Sequence, residues 1–153
     1  MNLSFKIKKI YPPTHFYTYL IISAALHFFV PVKQIVSFPY ILIGIIPVIA
    51  GAVLNIWADG IFKKQKTTAK PDQKPTILID YGPFKISRNP MYLGMALMLI
   101  GTGVLLGSVS SFIGVIIFIA AMEIYFIPDE EKTMRETFGE NFEQYKRRVR
   151  RWI

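Results

Sequence analysis

The chain has no cysteine, so neither a disulfide framework nor a thiolate metal site is open to it. It has two histidines, and no serine–histidine or cysteine–histidine pair is present for nucleophilic catalysis. A glycine-rich phosphate loop is missing as well. Acidic residues are scarce, 10 Asp and Glu against 18 Lys and Arg, for a net charge of +8. That excess alone would suit nucleic acid, so the placement of the charges has to decide. Apolar residues, in contrast, make up 52% of 153 residues and cluster in blocks, which points to a single membrane domain and away from a soluble core.

The blocks predict an all-α integral membrane protein with four transmembrane helices, near residues 14–30, 40–57, 91–107 and 111–127. Phe16, Tyr17, Tyr19, Phe28 and Phe29 stand near the ends of the first block, as an interfacial aromatic belt would. No small-residue cleavage site follows the basic start, so this block is expected to be a retained span and not a removed signal. His15 and His27 lie one at each end of it and read as interfacial. Pro47 predicts a kink inside the second block. Residues 59–90 form a polar linker, lysine-rich as far as Pro75, then carrying Thr76-Ile77-Leu78-Ile79, too short to span and expected at the membrane surface or against a ligand.

Gly107-Ser108-Val109-Ser110 is so short a joint that the last two blocks must form an antiparallel hairpin, and Gly103 with Gly107 permits close helix approach. After Pro128, Met134, Phe138, Phe142, Tyr145, Val149 and Trp152 recur every three or four residues, the mark of an amphipathic C-terminal segment, residues 128–153. Gly139 is expected to bend or break it. The end, Lys146 to Trp152, reads as basic, surface-lying and anchored by a tryptophan.

With four spans, both termini and the linker share one side. Three lysines before Pro12, seven basic residues from Lys63 to Arg88 and seven from Lys132 to Arg151 fall there, and Lys33 alone falls opposite. The positive-inside rule makes the crowded side cytoplasmic. The charge excess then follows from topology, and nucleic acid drops out.

One polar stretch stands at the mouth of the third block. Gly82-Pro83 and Asn89-Pro90 are turn signals around Phe84 to Arg88, and Pro90 suits the first turn of a helix. The unpaired N–H groups of such a helix start favour an anionic ligand group. Glu130 and Glu131 lie just after the fourth block, at the other open end of the same hairpin. An acid, a cationic or N–H-rich corner and aromatic walls therefore meet at one membrane face.

The order Arg88-x-Pro90-x-Tyr92-x-Gly94, a hydrophobic span, Glu130-Glu131 and then Phe138-Gly139 followed by Tyr145 resembles the isoprenylcysteine carboxyl methyltransferase family and the related phospholipid N-methyltransferases. The resemblance covers roughly residues 57–153. It implies a membrane enzyme using S-adenosylmethionine, with cofactor contacts on Thr76, Ile77, Leu78, Ile79, Phe84, Asn89, Pro90, Met91, Tyr92 and Glu130, and catalytic roles for Arg88 and Glu131. Asn89 replaces the family's usual histidine, and Phe126 stands where the family has a substrate-contacting arginine. Phe126 is thus a candidate substrate residue, and a carboxylate acceptor would lack its partner there. The implied acceptor is a lipophilic small molecule reaching the site from the membrane lipids. A membrane reductase using NADPH and a non-catalytic protein that kept the fold are the rival expectations.

Overall fold

Pro12 and Pro13 open the first helix, where a missing N–H costs nothing. In a computed structural model, which describes residues 11–30, 32–67 and 75–153, that helix is α1, Pro12–Phe29. It is followed by α2 (Ile45–Lys64), α3 (Pro90–Leu106), α4 (Ile113–Ala121), α5 (Ile127–Phe138) and α6 (Glu140–Arg148). Single 3-10 turns lead into α2 (Tyr40–Gly44) and α4 (Val109–Phe112), and another, Gly82–Lys85, lies ahead of α3. A π turn, Met122–Phe126, joins α4 to α5. The described residues contain no strand, only an isolated bridge between Gln34 and Ser108.

Helices α2 and α3 pack most closely, and glycine is the reason. Gly44 and Gly51 of the α2 arm face Gly101 and Gly94 of α3; a Cβ on Gly94 would stand 2.7 Å from the Gly51 carbonyl, and one on Gly101 2.5 Å from that of Gly44. Between apolar helices in lipid, such close backbone contact replaces the hydrophobic driving force. Gly94 is therefore a packing residue. The pair Gly103 and Gly107 works differently: Gly103 lies against the Phe112 ring, while Gly107 ends α3 in the left-handed region at φ 76°. The hairpin between α3 and α4 follows at once, as its short joint requires. Leu99, Phe118, Met122 and Ile127 are fully buried where α3 meets α4 and α5.

Several boundaries differ from expectation. Helix α2 runs on to Lys64, through what composition reads as linker, because Ala58 and Ile61 are buried against Ile79 and Phe84. Pro47 sits in the first turn of α2, where the 3-10 arm has just given way to α, so it needs no mid-helix kink. The fourth block does not stop at Pro128: helical backbone is continuous from Val109 to Phe138. A proline ring inside a helix collides with the carbonyl four residues back, here Ile124, and the widened π turn just before it makes room. Gly139, at φ 52° and ψ −124°, breaks the chain between α5 and α6 as its position suggests.

Two helical runs are long and apolar enough to cross a membrane, Tyr40–Lys64 and Val109–Phe138; α3 is apolar but has 17 residues, and α1 falls outside that pair. The basic lead-in, residues 1–10, and the centre of the linker, 68–74, lie outside the described residues.

Candidate active site

A cavity of about 510 Å³ opens at the Arg–Glu end of the bundle, within the size range of small-molecule sites. Helix α3 contributes Pro90, Met91, Tyr92 and Met95, and α5 contributes Glu130, Glu131, Thr133 and Met134. Aromatic and apolar walls come from Phe62, Phe84 and Phe142, with Ile77 and Ile79 on the extended segment after Pro75. Tyr11 to Pro13 close one side.

Of the predicted residues, Ile77, Ile79, Phe84, Arg88, Asn89, Pro90, Met91, Tyr92, Glu130 and Glu131 line this cavity together. Three do not. Thr76 is exposed, its N–H donating to the Thr67 hydroxyl at 3.2 Å. Leu78 is not among the lining residues and packs on the cluster of Phe142, Tyr145 and Val149. Phe126 is buried in the helical core, with its ring edge-on to His15 at 5.2 Å. The π turn includes Phe126, and the residue is not among those that line the cavity.

The two glutamates have opposite surroundings. Glu130 lies past the apolar stretch, which ends at Ile127, and accepts a hydrogen bond of 2.5 Å from the Tyr92 hydroxyl. Burial pushes its carboxyl up to about 7; the Tyr92 bond works against that rise and the Asp129 charge adds to it. Glu131 is also buried, which alone would raise it. The hydrogen bond from Arg151 and the charges of Arg88, Arg151 and Lys146 outweigh burial and hold it below the usual carboxylate range.

Arg88 is enclosed, its side chain 8% exposed. Its Nη2 donates to Glu131 Oε1 at 2.7 Å, its Nη1 to the Lys146 carbonyl at 3.2 Å, and its backbone N–H to the Arg150 carbonyl at 2.9 Å. Its Nε is buried with no hydrogen-bond partner among the described residues. Both oxygens of Glu131 are taken by arginines, so this residue, expected to be catalytic, anchors Arg88 and is poorly placed to accept a proton. The corner itself is held from the tail: Ser87 Oγ and Asn89 Nδ2 both donate to the Arg151 carbonyl, at 2.9 and 3.0 Å.

A match to the phospholipid methyltransferase family spans residues 39–141, about two thirds of the chain. The chain belongs to that family. Its members are methyltransferases, and methyltransferases generally draw their methyl group from S-adenosylmethionine. An uncharacterized protein of Haemophilus influenzae (strain ATCC 51907 / DSM 11121 / KW20 / Rd) is 38% identical over 63 residues, which is 41% of this chain and all of that relative. No solved structure matches.

In this family member the sequence reading missed a second layer of residues. Tyr145 donates from its hydroxyl to the Phe84 carbonyl at 2.7 Å, holding the 3-10 turn that presents Phe84, whose ring meets Phe62 edge-on. Arg151 and Trp152 do not lie on the surface as a loose anchor. Arg151 pairs with Glu123 and Glu131, and the Trp152 ring N–H donates to Glu123 at 2.9 Å. Glu123 was legible in principle: a lone acid in an apolar run asks for a partner.

Proposed function

We propose that this chain is a multi-pass membrane enzyme that transfers a methyl group from S-adenosylmethionine to a lipophilic small molecule at the cytoplasmic face. The observation that carries the reading is the cavity itself: two acids, of which Glu131 is engaged by arginines and Glu130 is not, a helix start and aromatic walls in a largely apolar space. Those are the residue types that a ligand bearing a cation, a carboxylate and an aromatic base requires. Glu130, with Tyr92 beside it, would take the cationic groups. The α3 N-terminus at Asn89 to Tyr92 favours the carboxylate, and Phe84 with Ile77 and Ile79 offers flat apolar walls. When bound, S-adenosylmethionine supplies an electrophilic methyl group. The chain's part is to align the acceptor and keep water out, and the apolar lining of Met91, Met95 and Met134 serves both ends.

The charges also bear on the acceptor. Among the described lining residues, the cation is Arg88, and Glu131 already neutralises it. A carboxylate acceptor would be desolvated beside Glu130 without a cation of its own. An apolar amine, thiol or phenol meets no such cost. For topology, the proposal adds α1 and α3 to the two long apolar runs as spans, with both termini and the α2–α3 linker cytoplasmic.

The test is a titration of the purified, detergent-held protein with S-adenosylmethionine and with NADPH, followed by methyl transfer to apolar amines, thiols and phenols and to farnesylcysteine. Binding of the first cofactor and preference for the uncharged acceptors are expected. Binding of NADPH alone would overturn the reaction, and efficient methylation of the farnesylcysteine carboxylate would overturn the acceptor class. A cysteine placed at Lys66 should be labelled from the same side as the termini; labelling from the opposite side would sink the four-span arrangement.

A further inference from the structure

Arg151 lies far along the chain from Arg88, on the short tail after α6, and reaches two acids at once. Its Nε donates to Glu131 Oε1 and its Nη2 to Glu131 Oε2, both at 2.9 Å, in the two-pronged geometry that guanidinium and carboxylate favour. Its Nη1 pairs with Glu123. Trp152, next in sequence, donates to the other oxygen of Glu123. The tail is therefore latched to one helix face at two points, and the latched Glu131 is the same carboxylate that holds Arg88.

The helix needs a special feature for this. On an uninterrupted α-helix, residues eight apart, such as Glu123 and Glu131, lie about 80° apart around the axis. A π turn closes i→i+5 and so inserts one residue; Ile127 N–H bonds to the Met122 carbonyl in that way. Residues eight apart then stand as residues seven apart would, within about 20° of one another. Glu123 is part of the π turn, Met122–Phe126, and the widening after it brings Glu123 and Glu131 towards one face, where a single arginine meets both.

We propose that Arg151 is a positioning residue: through Glu131 it fixes the Arg88 guanidinium at the cavity wall, and the π turn lets Glu123 share that hold. What is fixed matters because Arg88 lines the cavity and keeps a buried Nε–H that has no partner among the described residues. The rotation of that guanidinium is set by Glu131 together with the Lys146 carbonyl, and Glu131 has no freedom while Arg151 grips both of its oxygens. Arg150, Arg151 and Trp152 thus support the site from the C-terminal tail. The inference rests on the methyltransferase reading for its consequence in ligand binding, but its geometry stands without it.

The experiment uses the full chain in detergent, with two readouts. Side-chain NMR of 15N-arginine, assigned with Arg88→Lys, should show a slowly exchanging Arg88 Nε–H in the wild type. Arg151→Ala should abolish that protection, Arg151→Lys should restore part of it, and Glu123→Gln should weaken it least. Binding of S-adenosylmethionine is measured on the same proteins. Arg151→Ala should lower affinity about tenfold, the scale of a lost charge-assisted hydrogen bond, and adding Glu123→Ala should cost little more. Melting temperatures are recorded alongside, and if Arg151→Ala does not fold, Arg151→Lys and Glu123→Gln decide. An Arg88 signal unchanged in every folded variant overturns the proposal, as do independent, additive effects of Arg151 and Glu123 on affinity. If the wild type binds no S-adenosylmethionine, the functional reading fails and the NMR comparison still decides the positioning role.

Discussion

The two ends of the helical bundle solve the same problem in opposite ways. At the end where α3 turns into α4, the polar groups that meet are hydroxyls, amides and one imidazole, bonded to one another and to nearby backbone. His27 meets Ser108 at 2.9 Å, Ser111 Oγ donates to the Ser108 carbonyl at 2.6 Å, and Ile35 and Val36 N–H groups bond to the Gly107 carbonyl. Gln34 reaches Val36 and Leu106. At the opposite end the buried groups are ionised, their partners come from the far C-terminus, and one donor is left over beside a cavity. The closed end ties His27 and residues 34–36 to the α3–α4 joint through hydroxyl, amide and imidazole hydrogen bonds. The open end is a charge network assembled across the whole chain, and networks of that kind hold geometry at a high cost if one member is lost.

The sharpest way to break the contrast is Glu131→Ala. It strands Arg88, at 8% side-chain exposure, and leaves Arg151 with Glu123 alone. The expected loss is about 3–5 kcal/mol of stability, read by unfolding in detergent, as for a buried pair deprived of one partner. A loss within the range of an exposed ion pair would mean that the network is wetter than its packing implies.

Next comes Glu130→Gln, which keeps the Tyr92 hydrogen bond but removes the charge. It should weaken S-adenosylmethionine binding by about 1–3 kcal/mol in a titration, with little effect on folding. The pH dependence carries the sign. Only the ionised carboxyl attracts a cation, and with its pKa near 7 affinity should rise as pH climbs through about 7 and fall below it. Glu130→Gln should flatten that profile; an unchanged slope would assign it to another group.

The smallest effect belongs to the closed end. Ser108→Ala removes the partner of His27 and of Ser110 without touching the cavity. It should cost about 1 kcal/mol of stability and leave S-adenosylmethionine affinity unchanged. A change in affinity there would mean that the two ends communicate along α3.

Much of this contrast was legible beforehand, residue by residue. The apolar blocks, the short serine-rich joint and Gly139 placed the helices and the hairpin, because hydrophobic length and glycine or proline punctuation are local properties. The corner from Phe84 to Tyr92 and the acids at Glu130 and Glu131 were readable as facing one another, since a hairpin brings its two open ends together. The reach of α2 to Lys64 was not, because Ala58 and Ile61 gain their reason for being helical from Ile79 and Phe84, which local pattern does not see.

By itself, then, the amino-acid sequence determined the helical class, the antiparallel hairpin and which residue types meet at its mouth. Tertiary structure alone decided which side chains carry the meeting. A π turn rotates Phe126 into the core and swings Glu123 into line with Glu131. The tail that reads as a surface-lying basic end with a tryptophan anchor becomes the clasp on Arg88. The physical reason is that facing direction on a helix depends on every turn before it. One extra residue in a single turn re-aims all that follows, and no hydrophobic period records it.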